Sequence, residues 1–185
     1  MENYILIGIA VVAVGFVAYL IAMYNTLVKY RVETDNAWSQ IDVQLKRRTD
    51  LIPNLVETVK GVMKFEKETL TQVMEARSRA LGAQSQGDRF KAEGEISGLL
   101  GRLLAVWENY PELKSSRNAL ELQEELTTTE NRISYTRGHY NDVVANLNTM
   151  IVQFPTNLVA NAFRITKRDF FEIPETEKSP TKVSF

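Results

Sequence analysis

The chain has 185 residues, 44% of them apolar, enough to bury a core beyond any segment spent in a membrane. Its 22 Lys and Arg nearly cancel its 23 Asp and Glu, so no basic surplus points to nucleic acid and no acidic excess to a cationic partner. With no cysteine, the sequence excludes disulfides, zinc ribbons, a cysteine nucleophile and thiol-linked lipid anchors.

One stretch, Ile5 to Leu81, organises the chain. It begins as a membrane span over residues 5–24, behind a four-residue N-terminal segment. No charged residue occurs from Asn3 to Val28. About 20 apolar residues suffice to cross a hydrocarbon core of roughly 30 Å. The run is too long for a signal-peptide core and lacks basic residues before it, and Tyr4 and Tyr24 bracket it as interfacial aromatics do. Lys29, Arg31, Lys46, Arg47 and Arg48 follow the span, which predicts an N-terminus outside and a C-terminal domain in the cytoplasm. Gly8, Gly15 and Ala22 fall on one face, and small residues so placed let span helices approach closely in a homo-oligomer.

Beyond the span, apolar residues continue at helical spacing through Trp38, Ile41, Leu45, Ile52, Leu55, Val59, Val62, Val73 and Ala80. The pattern predicts one helix from Asn25 to Leu81, about 85 Å long. Pro53 is expected to kink it near Asp50 to Pro53 without ending it, because the period stays in phase. Gly82 to Gly87 reads as a linker, with Gly82 as a left-handed C-cap and Asp88 as the next N-cap. A second helix carries Phe90 to Trp107. Pro111 breaks the chain, Ser115 and Ser116 can cap a third helix that runs to Phe154, and Pro155 stops it. A short fourth helix is expected over Asn157 to Phe163. Phe163, Ile165, Phe170, Phe171 and Ile173 then lie extended, and the polar tail from Pro174 reads as disordered.

The expected fold is therefore all-α. A single N-terminal transmembrane helix continues into an up-and-down bundle of three long helices plus a short fourth, filling residues 25–173 ahead of a tail at 174–185. The alternative to this up-down-up order is a bend at Pro111 that makes the second and third helices together one arm of a long hairpin with the first, and either way the membrane-proximal seam at Trp38, Ile41 and Leu45 is under-covered within one chain. An uncovered apolar stripe predicts self-association there.

No catalytic constellation is visible. His139 is alone, so it has no second histidine for a metal site. Glu121, Glu124, Glu125 and Glu130 lack the Glu-x-x-His pairing of bundle metal sites. There is no nucleophile elbow, P-loop or dinucleotide fingerprint. No catalytic, cofactor or metal residue is assigned. The informative charges are Lys46, Arg47 and Arg48. Arg48 falls on the apolar seam, where an arginine is costly unless paired, so an acidic group is expected to pair with it, and the polar run Glu130-Asn131-Arg132 of the third helix could answer it.

The residues carry a resemblance. Tyr24 to Val28, the run from Trp38 to Arg48, and Asp50 to Val56 closely resemble the LemA family. So do Glu66 to Leu70, Ala76-Arg77, Glu130 to Ile133, Arg137, Tyr140-Asn141 and Phe154-Pro155. The likeness covers Tyr24 to Phe171 and the single span. Thr49 departs from it, standing where the family usually has an aromatic. The resemblance implies a bacterial integral membrane protein with an N-terminal anchor, N-terminus out, and an all-helical bundle. It implies no settled activity, although some members resemble magnetosome proteins and many are encoded beside membrane metalloproteases or TPM-domain proteins.

Two functions fit. The leading one is a non-enzymatic membrane scaffold that associates through its first helix. The other is an adaptor for a membrane protease or another envelope or stress-response partner. The partners expected are the lipid bilayer, further copies of the chain and another membrane protein, with no nucleic acid and no cofactor. Gly8, Gly15, Ala22, Trp38, Ile41, Leu45, Arg47, Arg48, Pro53, Glu130 and Arg132 are the expected interaction residues.

Overall fold

A computed structural model describes residues 1–171, so Ile173 and the expected tail at 174–185 lie outside the described residues. Among those described, every regular element is helical: α1 (Glu2–Val59), a 3-10 turn (Lys64–Glu66), α2 (Lys67–Gly82), α3 (Gln86–Trp107), α4 (Pro111–Ser115), α5 (Arg117–Val152) and α6 (Thr156–Ala162). Packing divides the chain into two compact units, residues 1–39 with 139–170, and residues 40–138 with Phe171.

In the second unit the expected single helix to Leu81 is corrected. α1 ends at Val59, and the chain turns through Lys60 to Met63, where the amides of Lys60, Val62 and Met63 all find carbonyls of the last helical turn. Arg77 then lies against Thr49, 28 residues earlier. An unbroken helix would hold those two about 42 Å apart, so α2 must run back along α1. Gly61, poor in helix propensity, sits in this turn. The apolar period misled because both arms of the hairpin bury their stripes in one core. That core joins Ile52, Leu55 and Val59 of α1 to Leu70, Val73 and Ala76 of α2 and to Ile96, Leu100 and Trp107 of α3.

The linker is shorter than expected, and its caps differ. Gly82 is still helical and no glycine takes a positive φ, so the left-handed cap is absent. Ser85, rather than Asp88, caps α3: its Oγ accepts from the Asp88 amide at 3.1 Å and donates to the Asp88 carboxylate at 2.6 Å. Ser116 caps α5 as expected, accepting from the Ala119 amide.

In the first unit, α1 from Leu20 onward packs against the end of α5 and α6. Met23 and Leu27 meet Leu147, Ile151, Val159, Ala160 and Ile165. α6 ends in a Schellman turn: the Ile165 amide donates to Ala160 O at 2.9 Å and the Arg164 amide to Asn161 O at 3.2 Å. Arg164 occupies the left-handed position, φ 53°, that glycine usually fills. The residues that follow are tied to both long helices. Asn148 clamps the Arg168 backbone through both ends of its amide, the Tyr140 hydroxyl donates to Asp169 O, and Arg168 pairs with Asp35.

The N-terminal part of α1 is a candidate membrane anchor. Its most apolar window has a mean hydropathy of 2.8, and none of it is buried against the rest of the chain. A helix in a soluble core would bury that window.

Candidate interaction site

Arg48 is the most deeply placed charge in the second unit, with no exposed surface. It lies on the inward face of α1, one seam step beyond Leu45. Its Nη1 donates to Glu130 of α5 at 2.7 Å and to the Ser97 hydroxyl of α3. Its Nη2 donates to the Glu93 carboxylate at 2.5 Å and to the Glu93 carbonyl at 2.9 Å. Ser97 passes the chain on, donating to the second oxygen of Glu130 at 3.0 Å. Arg89 extends the cluster by pairing with Asp42 and approaching the other oxygen of Glu93 at 3.9 Å. Three helices are thus held in register by one guanidinium.

Burial opposes the charge on Arg48, but Glu130 and then Glu93 outweigh it and raise its pKa above the ordinary arginine value. The charged form is therefore locked in. Such a triad brings geometric specificity more than net stability, because desolvation offsets most of the Coulomb attraction.

Pro53 lies inside α1 and the helix runs through it. Proline has no amide hydrogen, so the carbonyl four residues back, that of Thr49, loses its helical donor. The structure supplies a substitute from another helix. Arg77 Nε donates to Thr49 O at 2.8 Å. Pro53 and Arg77, 24 positions apart in the sequence, are therefore one device: the proline opens a carbonyl and the arginine of α2 docks on it. Beside Thr49 is a cavity of about 270 Å³ edged by Asp42, Lys46, Arg89 and Glu93.

The other expected interaction residues separate into groups. Ile41 and Leu45 are fully buried within the chain, and Trp38 is half-buried with its ring edge-on to Tyr140 at 6.0 Å. The expectation of an uncovered seam at these three is therefore corrected; with the hairpin reversing at Lys60 to Met63, α3 and α5 are both free to cover α1. Arg47 pairs with Glu125 at 2.9 Å on the surface, where such pairs contribute about 1 kcal/mol at most. Arg132 and Asn131 are exposed, so of the run expected to answer Arg48 only Glu130 reaches it. Gly8, Gly15 and Ala22 are exposed on the candidate anchor, and a Cβ added at either glycine would meet no atom of this chain within 4 Å.

Glu93 and Ser97 were missed from the sequence, yet the signal was present. Glu93 falls between Phe90 and Ile96 on the apolar stripe of α3, the place where a carboxylate is tolerated only with a partner. Arg77 had no comparable mark, since its role depends on a carbonyl freed in another helix. Among the described residues no group of three or more His, Asp or Glu side chains is arranged to hold a metal ion.

A profile of the LemA family matches residues 37–185. Protein LemA of Metamycoplasma hominis is 27% identical over 95% of this chain and 80% of its own length. Magnetosome protein MamQ 2 of Paramagnetospirillum magneticum is 26% identical over 86% of this chain and 68% of its own. Magnetosome protein MamQ of Magnetospirillum gryphiswaldense is 23% identical over 85% and 68%. The range matched by the family profile contains Arg48, Pro53, Arg77, Glu93 and Glu130.

Proposed function

The chain belongs to the LemA family, and from that premise we propose that it is a non-enzymatic, membrane-anchored helical scaffold that self-associates through its long first helix. The span fixes the N-terminal end, with the N-terminus outside and the domain of residues 25–173 in the cytoplasm, folded as an up-and-down bundle. The observation that carries this reading is how the buried charges are used. Arg48 pairs with both Glu93 and Glu130 and binds three helices together, as suits a rigid body built to present surfaces. Relatives named for the magnetosome support a part in building a larger structure.

The burial of Ile41 and Leu45 moves the expected contact between copies from the seam to the span. There Gly8 and Gly15 leave open space on a face that allows close helix approach. The basic residues Lys29 and Arg31, joined at the same end of the span by Arg164 and Arg168, support the cytoplasmic placement.

The test is the size and composition of the native complex after gentle detergent extraction. A particle containing many copies of this chain alone, dispersed by Gly8→Leu with Gly15→Leu, is the expected result. A strictly monomeric profile refutes self-association. A stoichiometric second membrane protein would make the chain an adaptor instead.

A further inference from the structure

The first unit carries two cavities at the end of the span, and their chemistries are complementary halves of one ligand. A groove of about 370 Å³ runs between Leu20, Ile21 and Tyr24 of α1 and Leu158 and Val159 of α6 with Phe163 just after it. That is within the roughly 300–1,000 Å³ range of ligand sites. Its walls are apolar, and Leu158 and Phe163 are each 59% exposed. Phe163 rests on Tyr24 with ring centroids 4.4 Å apart. The second cavity, about 160 Å³, is lined by three arginines, Arg31, Arg164 and Arg168, together with Leu147, Ile165 and Thr166. Asp35 pairs with Arg168 and offsets one of the three charges.

We propose that this unit binds an anionic phospholipid, one acyl chain lying in the α1–α6 groove and the phosphate in the three-arginine cavity. Depth along the span supports the assignment. If the apolar run ends at Met23, Arg31 lies about 12 Å further along the axis. Helical side chains lean toward the N-terminus, so its guanidinium reaches back toward the span. That places it in the headgroup layer, which adds about 5–8 Å on each side of the hydrocarbon core. Leu20 and Ile21 meanwhile remain at acyl-chain depth. Arg164 follows Phe163 directly, so one helix end supplies both an apolar wall and a basic one.

Backbone conformation is an independent pointer. Arg164 holds the left-handed C′ position of a Schellman turn, where glycine would fit without strain. A long cationic side chain at a position that disfavours it is explained by the charge it delivers. This inference rests on the span crossing a bilayer, and not on self-association.

The test uses the full chain reconstituted in phosphatidylcholine vesicles with spin-labelled phosphatidylglycerol or phosphatidylcholine, reading the motionally restricted label. Phosphatidylglycerol is expected to associate several-fold more strongly. Arg164→Gly and Arg31→Gln are each expected to cut that preference about fivefold, the effect of removing one basic residue at an anionic surface. Arg164→Gly relieves a strained backbone, so its thermal stability should rise while its lipid preference falls. That divergence separates loss of the site from loss of the fold. Equal association of the two lipids, or full preference in both variants, overturns the proposal. Release of the wild-type chain by alkaline carbonate would overturn the span itself, a distinguishable result.

Discussion

The coupling of Pro53 to Arg77 makes a quantitative prediction. Arg77→Ala removes the donor to Thr49 O, in a residue only 4% exposed. A carbonyl left without a donor, after losing a bond from a charged group, costs about 1.5–3 kcal/mol. For a chain of this size that is a fall in melting temperature of roughly 3–12 °C, at 2–4 °C per kcal/mol. Pro53→Ala restores the missing amide hydrogen, and removes a residue about 3 kcal/mol less favourable than alanine in a helix interior. In the Pro53→Ala background the Thr49 carbonyl has a helical donor again, so Arg77→Ala should cost only the packing of its stem, under about 1 kcal/mol. The expected coupling between the two substitutions is therefore about 1–2 kcal/mol. Circular dichroism melts of the four proteins in one detergent measure it. Additivity to within about 0.5 kcal/mol would refute the device and make Arg77 an ordinary surface arginine.

Further predictions follow from other sites. Arg48→Ala leaves Glu93 buried without its cation and should cost about 3–5 kcal/mol; unchanged melting and unchanged assembly would show the pairing to be idle. Tyr140 has its pKa raised above the ordinary tyrosine value, by burial first and by Asp169 and Asp35 in smaller measure, against the pull of Arg168. The unfolded chain therefore ionises this phenol first. Its contribution is whole below the ordinary value near 10 and is lost as pH rises through that value toward the raised one. Tyr140→Phe should flatten that alkaline limb, at a cost of about 1 kcal/mol at neutral pH for the bond to Asp169 O; an alkaline limb that survives the substitution argues against Tyr140. Arg164→Gly should stabilise the chain by about 1 kcal/mol, the usual penalty for a side chain in the left-handed region, and a lowered melting temperature would refute the strain.

The candidate anchor, the helical class and the helix boundaries at Pro111, Ser116 and Pro155 could be read from the sequence because each is a local matter. Twenty apolar residues without charge need a nonpolar surround whatever they pack against. Pro111, Ser116 and Pro155 mark helix boundaries through backbone chemistry carried by the residue itself. The misplaced arginine was equally legible, since Arg48 breaks an apolar stripe and such a charge must find an acid. Only the tertiary structure decided where the chain reverses. Apolar spacing reports which side of a helix is buried and is blind to direction, so two helices sharing one core show the same stripe as a single long one. The seam read from the sequence skips from Val62 to Val73, past Met63 and Leu70, which the fold buries in the same core; that skip was the trace of the turn, and it outweighs the matching phase on either side. Once the chain turns at Lys60 to Met63, Ile41 and Leu45 are covered and Arg77 reaches the carbonyl that Pro53 exposes. The arginines of residues 164–168 also come to line one cavity with Arg31. Those pairings join positions far apart in sequence, and their energies depend on distance and burial, which exist only after the helices have packed.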